Sequence, residues 1–336
     1  MQSHGRAKDD DVDEHSSLNG GTGLRVTSMD NLRPLAGGEG FTVVTDEPRL
    51  VDELARHGLP AVLWDPDLRM PAGSNVVVAL CHRMGSATIR SQFSDSRVLA
   101  LPIHSFDDSL AGIMYTVSLV FATDFVDTTR RNNEWIRLLR DEPDGVLDFA
   151  GPGTDLRCTL GENLRVDTSL DLEIGPGEWV SVGNYCEVSL TPSSSTDWHS
   201  SFVMDGHVEA VGVLVAEDSR AGQDDTAKAR IAAARDLQVE MVERGPVRLE
   251  LEDGRLRAAY LDGRDVTAEI AEATNPSYEL HATELGLGTN PGIGPLVDWR
   301  FNSQINEGVG MIHLGFGEGI TGAHMDFVVD GVSLAG

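Results

Sequence analysis

From residue 41 onward, short apolar runs alternate with segments of helical spacing. FTVVTD (41–46), AVLWD (61–65), NVVVALCH (75–82) and RVLALPI (97–103) are β-branched or continuously apolar and are bounded by Pro, Gly and Asp. A strand covered on both faces carries no polar alternation, so these runs predict buried strands of a parallel sheet. Between them, Leu50, Val51, Leu54 and Ala55 recur at helical spacing. Residues 109–140 read as one or two helices, with Leu110, Ile113, Met114, Val117 and Phe121, then Trp135, Ile136, Leu138 and Leu139, on apolar faces. An α/β domain is expected over residues 24–150.

The texture changes at DEPDGVLDFAGPGTD (141–155), where Gly, Pro and Asp punctuation predicts a domain junction. Residues 151–336 read as a β-rich α+β domain. TDLRCTL, WVSVGNYCEVSLTP and SFVMDGHVEAVGVLV supply short strands, and a helix is expected near 226–242. VRLELEDGRLRAAYLDGRDVT has the period-2 pattern of a hairpin turning at Asp253-Gly254. A further helix is expected at 266–274, and no internal repeat is present.

Composition narrows the partners. The formal net charge is −28, a potential that repels phosphate backbones, so no nucleic-acid partner is expected. No apolar run approaches the ~18–20 residues of a membrane span. Residues 1–23 are polar, acidic and Gly/Ser-rich, which predicts a disordered tail without a secretory signal. Cys81, Cys158 and Cys186 are odd in number and lack a C-x-x-C spacing. They read as buried apolar filler in a reducing cytoplasm, not as disulfides or a zinc-thiolate site.

The candidate chemistry lies near the C-terminus. In AHMDFVV (323–329), residues i and i+2 of a strand share a face, so His324 and Asp326 converge. GMIHLGFG puts His313 in an apolar strand, where an uncompensated imidazole is costly. Glu284 precedes the apolar Gly-rich run of ATELGLGTNPG, and Glu307 stands six residues before His313. Carboxylates and imidazoles together suit divalent Zn, Mn, Co or Fe. GFGEGITG (315–322) holds a formal G-x-G-x-x-G, but a strand-like run follows it, so it reads as a hairpin connection and not a dinucleotide site. SLTPSSSTDWHS (189–200) reads as a polar loop from which Trp198 and His199 could line a substrate cleft. His281 is a further candidate near Glu284, and His82 ends a strand at a sheet's carboxyl edge, where open α/β sheets bind ligands.

ELGLGTNPG, then E-x5-H-x-G-F-G, then H-x-D-F-V, resembles the C-terminal half of the aminopeptidase T family, and GNYCEVSLTP (183–192) resembles that family's glutamate-bearing strand. The resemblance covers roughly residues 150–330. It implies an aminopeptidase T-like fold, a homodimer, and a centre of two Zn, Co or Mn ions, with Fe disfavoured. Glu187, Glu284, Glu307, His313, His324 and Asp326 would be its ligands, and Glu284 or Glu307 its general base. The implied activity is hydrolysis of short peptides or aminoacyl compounds by a metal-activated water.

Three departures stand against turnover. Ile320 occupies the place of the family's tyrosine, the connection between His313 and His324 is short, and Cys186 replaces a glycine. Losing an oxyanion-type stabiliser is worth ~2–4 kcal/mol. The departures resemble those of degenerate, peptide-binding members in ribosomal-peptide pathways of the crocagin type. Ring-cleaving 2,5-dihydroxypyridine dioxygenases share the fold, but Glu284 stands where their first iron-binding histidine falls.

Overall fold

The computed structural model describes residues 24–81, 86–141, 145–193, 201–218 and 224–335. The expected tail at 1–23, His82, Trp198 and His199 lie outside them. In chain order the first elements are β1 (Thr42–Thr45), α1 (Pro48–Arg56), β2 (Ala61–Leu63), β3 (Asn75–Ala79), α2 (Ser86–Gln92), β4 (Arg97–Leu101), α3 (Leu110–Ala122) and α4 (Phe125–Asp141). The four strands pair in the order β2-β1-β3-β4, all parallel. Val43, Val77 and Leu99 enter one core with Leu50, Leu54, Ile113 and Val117. Val44, Val76, Val78 and Val98 enter another with Ile89 and Phe93. Both faces are covered, which is why these strands read as unbroken apolar runs.

The chain continues through β5 (Val146–Gly151), β6 (Thr154–Leu160), β7 (Leu164–Asp167) and β8 (Trp179–Ser181). Although β8 follows the junction expected at 141–155, it pairs in parallel with β4 and completes the first sheet. A single helical turn, α5 (Gly183–Cys186), separates the two short strands that WVSVGNYCEVSLTP supplies. Tyr185 explains it: fully buried, it packs edge-on against Phe125 at 5.4 Å and turns the chain toward a new sheet.

The remaining elements are β9 (Glu187–Pro192), β10 (Phe202–Ala210), β11 (Gly212–Ala216), α6 (Asp225–Arg244), β12 (Val247–Glu252), β13 (Arg255–Leu261), β14 (Arg264–Asp265), α7 (Thr267–Thr274), β15 (Ala282–Gly288), β16 (Ile312–Phe316), β17 (His324–Val329) and β18 (Ser333–Leu334). The hairpin β12–β13 turns at Asp253 and Gly254, both at positive φ, as its sequence predicts. Two antiparallel sheets result, one of seven strands, β14-β13-β12-β10-β6-β5-β18, and one of six, β11-β17-β16-β15-β9-β7. Their facing side chains form a shared core, with Phe149, Met204, Val208 and Leu249 from the first and Val188, Leu190, Leu285, Leu287, Leu314 and Phe327 from the second. All three cysteines are free and buried, as expected. Among the described residues no single helix is long and apolar enough to cross a membrane.

A strap over residues 298–306 joins the two parts. The Tyr115 hydroxyl of α3 donates to Asn306 Oδ1 at 2.8 Å and accepts from the Asp298 amide. Thr116 bonds Ser303, and Tyr115 stacks on Phe301 at 4.6 Å. On its other side, Asn302 accepts from Val215 N and donates to Val215 O, satisfying the open edge of β11. Asn302→Ala would leave both buried groups unpaired, at about 1–3 kcal/mol each. A lower urea midpoint is the expected result, and an unchanged midpoint would refute the role of this bridge.

Candidate metal centre

Directly paired residues of antiparallel strands point to the same face. Glu187 pairs with Gly288, Ser189 with Gly286, Gly286 with His313, Glu284 with Gly315, and Gly315 with Asp326. All five predicted ligands carried on strands therefore share one face of the six-stranded sheet, and the leucines between them enter the core. The ladder shifts register between Ala282 and Glu284, a bulge that re-aims the strand at a ligand. Glycines make the room. A Cβ on Gly286 would lie 1.8 Å from His313 Cε1, and one on Gly315 would lie 2.7 Å from His324 and 2.8 Å from Glu284.

The ligand atoms form two groups that could each hold a metal ion, Glu187–Glu284–His313 and Glu284–His324–Asp326, with Glu284 common to both. His313 Nε2 lies 3.4 Å from Glu187 Oε2 and 3.7 Å from Glu284 Oε1. His324 Nε2 lies 2.9 Å from Asp326 Oδ1 and 3.3 Å from Glu284 Oε2. Glu307, on the 3₁₀ turn Gln304–Val309, is buried and lines the same cleft, outside both groups. The donor set fits divalent cations. Buried Glu187 Oε2 and Asp326 Oδ1 meet no aligned hydrogen-bond donor, and no Lys or Arg lines the cleft among the described residues. Glu187, Glu284, Glu307 and Asp326 bear four negative charges when ionised, which two divalent cations would cancel.

Protons take that place otherwise. Burial pushes the Glu187 carboxyl up to about 8, against His313 and with help from Glu284 and Asp326. Burial, then the charges of Glu187, Asp326 and Glu284, raises Glu307 well above the carboxylate range. For Glu284, burial opposes ionisation, but hydrogen bonds from His313 and His324 win and hold it below that range. Burial works against charge on both histidines, yet the carboxylates raise His313 to about 9 and His324 well above its ordinary value.

Some contributors carried no signal in the sequence. Ser189 donates its hydroxyl to Glu284 Oε1, and Gly317 O accepts from His324 Nδ1 at 2.9 Å. The cleft, of ≈ 320 Å³, is also lined by Pro102, Ser105 and Phe106 beyond β4, by Ser181 of β8, and by Glu217, Asp218 and Glu318. It lies at the carboxyl edge of the parallel sheet, where such sheets bind ligands. His281 forms an isolated bridge with Arg255 and is not among the residues lining the cleft. Ile320 falls within the 317–323 connection between β16 and β17, the hairpin expected in place of a dinucleotide loop.

Residues 38–335 match the model of the crocagin biosynthetic protein CgnE/B family. The chain belongs to that family. Of the resemblances read from the sequence, the natural-product one therefore gives the family. No curated protein matches the chain. A solved 2,5-dihydroxypyridine dioxygenase from Pseudomonas putida KT2440 shares the fold across 92% of both chains, with a TM-score of 0.51 and 14% identity. Wild-type AmpT from Thermus thermophilus aligns over 90% of this chain and 92% of its own, at 13% identity and a TM-score of 0.46.

Two outcomes follow from the geometry and the charge balance. Gly286→Ala should displace the His313 ring and weaken uptake of Zn²⁺ or Mn²⁺ by about tenfold or more, on the scale of lost ligand orientation. Equal affinity in direct titration would refute that constraint. An imidazole must be deprotonated to bind a cation, and His313 stays protonated up to about 9. Metal uptake at neutral pH should therefore release protons, and affinity should rise with pH toward 9. Calorimetry in two buffers of different ionisation enthalpy measures that release, and its absence would count against the charge balance.

Proposed function

We propose that the chain is a two-metal hydrolase of its biosynthetic family, acting at the amino-terminal end of a short peptide or aminoacyl compound. The observation that carries this reading is the pair of ligand groups joined by Glu284. Two divalent cations held there would polarise an amide carbonyl and lower the pKa of a water toward neutrality. Glu284 is the shared ligand. Glu307, outside both groups, would be the base: with cations cancelling the neighbouring charges that raise its pKa, its carboxylate would take the proton of the attacking water and pass it to the departing amine. Glu217, Asp218 and Glu318 make the rest of the cleft acidic, which favours a substrate presenting a free ammonium.

A second reading is supported by Ile320. With an aliphatic side chain in the place of the aminopeptidase T family's tyrosine and a short connection on either side of it, the cleft would hold a peptide without cutting it. Membership in a biosynthetic family is compatible with either role.

Metal-loaded protein assayed with aminoacyl-p-nitroanilides separates the readings. Hydrolysis is expected, with two equivalents of Zn, Mn or Co bound. Glu307→Gln should keep both equivalents while losing about 10²–10⁴-fold in rate, the usual range for a general acid–base group. Peptide binding without hydrolysis would favour the second reading, and one bound iron with oxygen uptake would overturn both.

A further inference from the structure

We infer that the two halves of the centre load in order, the His324–Asp326–Glu284 half first and the Glu187–His313–Glu284 half second. The inference rests on the metal reading above and concerns how that site is filled. Its first support is the imidazoles. His324 Nδ1 donates to Gly317 O at 2.9 Å, which fixes ring and tautomer and turns Nε2 toward Asp326 and Glu284. A histidine held in this way has its orientation and basicity set before a cation arrives. His313 Nδ1 is buried and has no hydrogen-bond partner, so its ring packs against Gly286 without the backbone anchor that His324 has.

The shared carboxylate is also asymmetric. Glu284 Oε2 faces His324, whereas Oε1, on the His313 side, already accepts the Ser189 hydroxyl. An oxygen engaged by a donor offers less electron density to a cation. The donor atoms are closer in the His324 half, at 2.9 and 3.3 Å against 3.4 and 3.7 Å. Access to the imidazoles points the same way: the His324 side chain is 17% exposed and that of His313 1%, although Asp326, at 2%, is more buried than Glu187, at 9%. A cation entering the deeper half must shed more of its water.

Calorimetric titration of the metal-stripped full chain with Mn²⁺ alone tests this. Two steps are expected, separated by about ten- to hundredfold, the effect of one missing ligand-orienting partner. Glu187→Gln should erase the weaker step and leave the tighter one unchanged, whereas Asp326→Asn should weaken the tighter. Ser189→Ala, which removes no ligand, should narrow the gap. Two indistinguishable steps, or loss of the tighter step in Glu187→Gln, would overturn the order while leaving the metal reading intact. Wild-type protein that takes up no cation would overturn both.

Discussion

The close packing of the strand carboxylates Glu187, Glu284 and Asp326, which repel one another whenever they are ionised together, is the constraint to which the surrounding structure answers. Two like charges ~4 Å apart repel by about 4 kcal/mol at the effective dielectric of a protein site. What opposes that repulsion lies on the other side of the same strands. Val188, Leu190, Leu285, Leu287, Leu314 and Phe327 are fully buried, and each such side chain contributes about 1.5–3 kcal/mol. Because ligands and core residues alternate along single strands, the carboxylates cannot separate without pulling leucines from the core. Apolar burial thus fixes the carboxylates close together, and protons or cations must neutralise them there.

That alternation is also what made the site readable. In ELGLG the leucines enter the core, Glu284 faces the cleft, and the glycines leave space for imidazoles from the neighbouring strand. The spacing of His324 and Asp326 transmits the same information, since a two-residue step on a strand returns to one face. The parallel sheet was legible for a related reason, its strands being apolar on both sides. The acidic rim was less so: Glu217, Asp218 and Glu318 come together only through pairing of β11 with β17.

Other features depend on contacts far apart in the chain. β8 has three residues and no periodicity of its own, and only its pairing with β4 reveals that it belongs to the first sheet. Ser189 looks like any polar strand residue until Glu284 is set opposite it, 95 positions later. The Gly317 carbonyl that steadies His324 is backbone, so no side chain advertises it. His281 sits close to Glu284 in sequence but before the bulge, and its bridge to Arg255 takes it elsewhere.

The strap over residues 298–306 has a thermodynamic consequence. It bonds α3 on one side and β11 on the other, and the next residue is Glu307. Opening α3 would therefore loosen Glu307, and anything that tightens the cleft would be felt by α3. A ligand that binds only the folded cleft stabilises whatever must be ordered to form it. Here that includes a helix of the other half of the molecule, so the two halves would be expected to melt as one cooperative unit once the cleft is filled.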